Sequence, residues 1–151
     1  MVEKSAIGLT DEPFEMVVER GKVREFARAT KSRNASYAGA PGDTPVSPGT
    51  FLAAAAFWQP PESNPLVSSG IDLRRVLHGE QEFVFHGPPP TVGQVLAGVS
   101  RIDSIREKAG KRGGTMTFCE IVTEFRANDR LVAEARSTII ETSQPAQDPS
   151  R

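Results

Sequence analysis

Pro48-Gly49-Thr50-Phe51-Leu52-Ala53-Ala54-Ala55-Ala56-Phe57-Trp58 is the stretch on which the fold turns. Ser47 before it reads as an N-cap, and Pro48 suits the first turn, where a missing N–H costs little. From Phe51 to Trp58 every residue is apolar, so no side of a helix here offers itself to water. A helix of that kind is buried rather than amphipathic. Pro60-Pro61 ends it. Its alanines are small enough to let strands approach closely. The run is far short of the ~20 apolar residues that span a bilayer.

On the C-terminal side the character changes from residue 79 to strands. In 82–86, Phe83 and Phe85 share one face and His86 falls on the other. Gly87 and three prolines then make a stiff turn. Along 91–107, Val95, Ala97 and Val99 have one parity and Ile102 and Ile105 fall out of phase, a slip that predicts a bulge or bend. Residues 108–114 form a basic, glycine-rich hairpin loop, 115–127 a long strand, Asn128-Asp129 a tight turn, and 131–142 the return strand. On the N-terminal side, 14–20 reads as a short strand and Gly21 turns the chain into a helix near 22–30. There Val23, Phe26, Ala27 and Thr30 share a face. Residues 31–47 and 62–76 are irregular. The order is strand, short helix, buried helix, antiparallel meander. A sheet wrapped around one apolar helix buries both, so the fold class is α+β. The first dozen residues read as loose. The segment 1–142 reads as one domain, and 143–151 as a disordered tail.

Composition narrows the function. At 151 residues, with 38% hydrophobic and 25% charged content, the chain is an ordinary globular one. A net charge of −1 does not draw it toward nucleic acid. No signal-peptide plan is visible, and the lone Cys119, read as a buried small apolar residue, fits a reducing compartment, so the expected location is cytoplasmic. No Cys/His cluster calls for a metal, and no dinucleotide or phosphate-loop spacing calls for a cofactor.

The chemistry is concentrated in Phe26-Ala27-Arg28-Ala29-Thr30-Lys31-Ser32-Arg33-Asn34-Ala35-Ser36-Tyr37. This stretch resembles the (R)-specific enoyl-thioester hydratase motif, Phe-Ala-x-x-Ser/Thr-Gly-Asp-x-Asn-Pro-x-His. Three further segments agree in order and spacing: Ser47-Pro48-Gly49-Thr50-Phe51-Leu52, Leu77-His78-Gly79-Glu80-Gln81-Glu82-Phe83 and Pro90-Thr91-Val92-Gly93-Gln94. Over roughly residues 7–142 the chain resembles the N-terminal MaoC-like dehydratase domain, and is similar to the non-catalytic subunits of (3R)-hydroxyacyl-ACP dehydratases. The resemblance implies a hot-dog fold. In that family the motif's Asp and His are the catalytic pair. Ser32 and Tyr37 stand at those positions, and Asn34 is kept. Lys31 and Ala35 replace the family's Gly and Pro, which works against the tight catalytic turn.

Hydration and dehydration of acyl thioesters need a group that gives and takes a proton near neutral pH. A serine hydroxyl lacks that ability without an adjacent base. A tyrosine, with an ordinary pKa of ~10, is a poor base. The resemblance therefore implies a subunit that binds an acyl-CoA or acyl-ACP thioester, without a catalytic residue of its own. It would form a heterodimer with a hot dog that carries the Asp and His. The residues expected to bind substrate are Asn34, Tyr37, Phe51, Trp58, His78 and Gly79. Phe51 and Trp58, first of all core residues, would line an acyl tunnel beside the central helix. Two alternatives stay open. One is a homodimeric hydratase or acyl-CoA thioesterase using His78, with Glu80 or Asp72 as its partner. The other is an acyl-CoA-binding protein without catalysis. His86 reads as a surface histidine at a strand end. The basic residues of 101–114 read as a solvated hairpin tip or as a patch that steers acidic carriers.

Overall fold

The computed structural model describes residues 1–40, 42–110 and 114–143. The expected tail beyond 143, and Lys111, Arg112 and Gly113 of the basic loop, lie outside the described residues.

Five strands form one antiparallel sheet: β1 (Phe14–Val17), β2 (Val76–Phe85), β3 (Val95–Ala109), β4 (Thr115–Ala127) and β5 (Arg130–Thr142). Their order is β1-β3-β4-β5-β2, which leaves β1 and β2 at the edges. The meander follows from local turns. Gly110 N–H donates to Gly114 C=O across the β3–β4 turn. Asn128 and Asp129 both take positive φ (48° and 61°), as a two-residue hairpin requires.

The register shift predicted within β3 lies between Ile102 and Ser104. The buried parity differs from the one read in the sequence. Leu96, Ser100 and Ile102 face inward, while Val95 is exposed. The bulge keeps Ile105 on the same inner face as Ile102. Gly98, between Leu96 and Ser100, is the register partner of Phe14 in β1: a Cβ there would stand 2.4 Å from the Phe14 ring.

The long inner face carries two apolar clusters. The first joins Phe14, Met16, Leu96 and Phe125 of the sheet to Phe51, Leu52 and Ala55 above it. Helix α1 (Arg20–Ala29) adds Val23 to this cluster, while Ala27 is buried beside it. The second gathers Val2, Ala6, Ile102, Ile105 and Cys119 at the other end.

Four expectations are corrected. The central segment is a 3-10 helix, Phe51–Phe57, and it is not buried all round: Phe57 is 90% exposed. The sheet and α1 cover Phe51, Leu52 and Ala55 and leave Ala53, Ala56 and Phe57 open. Ser47 does not cap it. Its side chain is buried without a hydrogen bond, and Phe51 N–H instead donates to Pro48 C=O. Gly21 lies inside α1 rather than before it. The first dozen residues are not loose either. Val2 and Ala6 are buried, Gly8 N–H donates to Ile102 C=O, and Ile102 N–H donates to Leu9 C=O. A strap of backbone hydrogen bonds therefore closes that end of the sheet. No helix among the described residues is long and apolar enough to cross a membrane.

Candidate functional site

Helix α1 ends in a turn that fixes the motif. Ser32 N–H donates to Ala27 C=O at 2.8 Å, and Lys31 N–H to Arg28 C=O at 3.0 Å. This paired pattern is the Schellman motif, which places its C′ residue in the left-handed region. Lys31 is that residue, with φ 55°. The turn that the missing glycine was expected to weaken is therefore kept, with a lysine in the strained conformation. Beyond it, Ser32 Oγ accepts from Asn34 N–H, and Asn34 Oδ1 accepts from Ser36 N–H at 3.0 Å. Asn34 so caps the 3-10 turn Ala35–Tyr37. Tyr37 is half-buried and packs against the first cluster. The loop so brings together a serine, an amide and a phenol.

The central helix presents three rows, because residues three apart eclipse in a 3-10 helix. Phe51, Ala54 and Phe57 face α1 across a groove of about 450 Å³, which Phe26 and Trp58 also line. Phe26 and Phe51 meet there edge to face, with centroids 5.5 Å apart. Leu52 and Ala55 point into the core. Ala53, Ala56 and Gln59 border a second cavity of about 230 Å³ between the helix and the inner face of the sheet.

His78 lines this second cavity. It does not follow an irregular segment, as expected, but lies within β2 opposite Ile139, beside a register shift at Gly79. That shift turns His78 inward and Glu80 outward. Glu80 and Glu82 line a depression with Asp103, Glu120 and Arg136 on the other side of the sheet. Neither proposed partner is thus placed to serve His78. Asp72 is held by Arg74, through hydrogen bonds that draw its carboxyl down to about 2, and it also pairs with Arg75. Gly79 has a packing reason to be glycine, since a Cβ would come 2.9 Å from Ile140 Cδ1. His86 sits at the surface, its Nε2 3.0 Å from Glu134 Oε2.

The structure thus divides the expected binding residues. Phe51 and Trp58 line the outer groove, His78 the inner cavity, and neither lining includes Asn34, Tyr37 or Gly79. Sequence reading missed the polar floor of the inner cavity, where Ser100 Oγ and Thr123 Oγ1 share a hydrogen bond of 2.9 Å. Their inward parity in two strands was the available signal. It also missed Asp11, buried at the cavity's border, where Ser100 N–H and Gln59 Nε2 both donate to it. At the far end Glu141, fully buried, accepts from Val2 N–H at 2.7 Å and pairs with Arg75 at 2.9 Å. Among the described residues, no group of three or more His, Cys, Asp or Glu is placed to hold a metal ion.

The architecture has known counterparts. The family model for the FAS1-like, dehydratase domain region matches residues 5–135. A UPF0336 protein of Saccharopolyspora erythraea is 33% identical over 140 residues, covering 87% of this chain and 85% of that protein. A chain of the C-terminally truncated HadBC (3R-hydroxyacyl-ACP dehydratase) complex from Mycobacterium tuberculosis superimposes with a TM-score of 0.71 at 26% identity. That match covers 89% of this chain and 96% of the other. The ChsH1–ChsH2 complex from the same organism shares the fold, with a TM-score of 0.70 at 20% identity over 97% of this chain and 89% of the other. With its five-stranded hot-dog sheet and the family match over most of its length, the chain belongs to the FAS1-like dehydratase region family of MaoC-like hot-dog proteins.

Proposed function

We propose that this chain is the non-catalytic, substrate-binding subunit of an (R)-specific enoyl-thioester hydratase or (3R)-hydroxyacyl-thioester dehydratase. The carrying observation is the turn after α1. It is closed by Lys31 at a positive φ, and the resemblance of 26–37 to the hydratase motif puts Ser32 and Tyr37 where the acid/base pair would stand. A hydroxyl whose neighbour is a backbone N–H, and a phenol packed on the core, do not supply a base near neutral pH.

The partner is a second hot dog carrying Asp and His. The ten-residue edge strand β2 is the proposed seam, since pairing removes an exposed edge, whereas β1 has only four residues. HadBC and ChsH1–ChsH2 are complexes, which supports a heteromeric state here. The reading includes an acyl-CoA or acyl-ACP thioester as ligand, one domain over 1–142 and a cytoplasmic location. The acyl chain enters the inner cavity, with His78 at its mouth.

The test is crotonyl-CoA hydration by the purified chain, alone and mixed with a hot-dog protein that carries the complete motif. Activity only in the mixture is the expected result. The second reading, a self-sufficient hydratase or thioesterase, draws on His78 lining the cavity. Activity of the chain alone, abolished by His78→Ala, establishes it and removes the first.

A further inference from the structure

We propose that the inner cavity admits only short acyl chains, of up to about eight carbons, because the protein's own N-terminal strap closes its far end. This rests on the cavity being the acyl site and adds the substrate class. The exposed lining residues Ala53, Ala56, His78 and Gln81 mark the mouth, between the central helix and β2. Phe125 and the Ser100–Thr123 hydroxyl pair form the floor. One of these hydroxyls donates to the other, so both oxygens take part in a hydrogen bond beneath an alkyl chain.

The end wall is Ile121 and Leu66, while Ile139, the register partner of His78, lies near the mouth. Leu66 and Ile121 pack directly on the second cluster, where Val2 and Ala6 of the strap cover Ile102, Ile105 and Cys119. The strap is pinned along its length. Val2 N–H is held by the buried Glu141 carboxylate, Gly8 and Leu9 by the backbone of Ile102, and Asp11 by Ser100 N–H. A longer chain has to displace this packed wall, with the penalties that overpacking brings. The room in front of it is about 230 Å³. A methylene takes up about as much space as a water, ~30 Å³, so the cavity holds on the order of eight.

The experiment is calorimetric titration of the full chain with saturated acyl-CoA thioesters from roughly four to twelve carbons, where each added methylene buried tightens binding about fourfold. The expected result is a rise that stops at about eight carbons. Ile121→Ala and Leu66→Ala each enlarge the end of the cavity and move the stop outward by about two carbons. Leu66, in a four-residue helix outside the sheet, keeps the test open if Ile121→Ala fails to fold. Phe57→Ala, in the outer groove, leaves the stop where it is. Affinity rising without a break to twelve carbons overturns the proposal. So does a stop that neither cavity variant moves, or that Phe57→Ala moves, or absence of binding across the series. Hydration by the mixture decides the functional reading separately: length-independent binding with activity removes only the length limit, and length-limited binding without activity removes only the hydratase reading.

Discussion

At the residue scale, the turn after α1 is the point on which the proposed function rests. Lys31 keeps the left-handed position of a Schellman turn where glycine fits without strain. Lys31→Gly is therefore expected to stabilise the chain by about 1 kcal/mol in urea denaturation, the order of the left-handed penalty. The same substitution leaves the chemistry unchanged, because the backbone is already in place. Tyr37→His alone is expected to give no crotonyl-CoA hydration, since Ser32 still supplies no carboxylate; measurable turnover contradicts this account of the loop. Cys119 shows a different control. Burial, and then the negative Glu120 beside it, push its thiol up to about 11. At pH 8 it stays a thiol, and it has no exposed surface. Thiol-reactive reagents are expected to label it slowly in the native chain and at once in denaturant. The placing of Ser32 and Tyr37 at the family's Asp and His positions rests on the resemblance of 26–37 to the hydratase motif. The turn was not legible in the sequence, because lysine carries no local signal for positive φ.

At the element scale, the strands were more legible than the helix. Alternation and turn residues located the meander and the slip in β3. The central segment was misread because composition records how apolar a run is, not which sides are covered. Phe51 and Phe57 share a row of this 3-10 helix, yet Phe51 is buried in the first cluster and Phe57 is exposed. Glycines distinguish the elements well. Gly98→Ala puts a Cβ against the Phe14 ring and is expected to cost about 2 kcal/mol by pinching β1 away from β3. Gly21→Ala, inside α1 with nothing within 4 Å of the new Cβ, is expected to gain roughly 0.5–1 kcal/mol. Thermal denaturation of the two variants checks the contrast in sign.

At the scale of the whole molecule, the sheet order decides how the chain presents itself. β2 is paired on one side only and lies next to the mouth of the inner cavity. On mixing with a catalytic hot dog, amide exchange in residues 76–85 is expected to slow markedly, while β1 is unchanged. Equal protection of both edges, or of neither, argues against β2 as the seam. By itself the sequence determined the α+β class and the antiparallel meander, because strand alternation and turn chemistry are local properties, and its resemblance to the MaoC-like family carried the hot-dog fold. Only the tertiary structure decided that His78 faces inward while Glu80 faces outward, since one register shift at Gly79 sets both. It alone brought the N-terminal strap onto Glu141, across almost the full length of the chain. Contacts of that kind depend on which faces meet once the sheet has curled around its helix, and no window of sequence contains them.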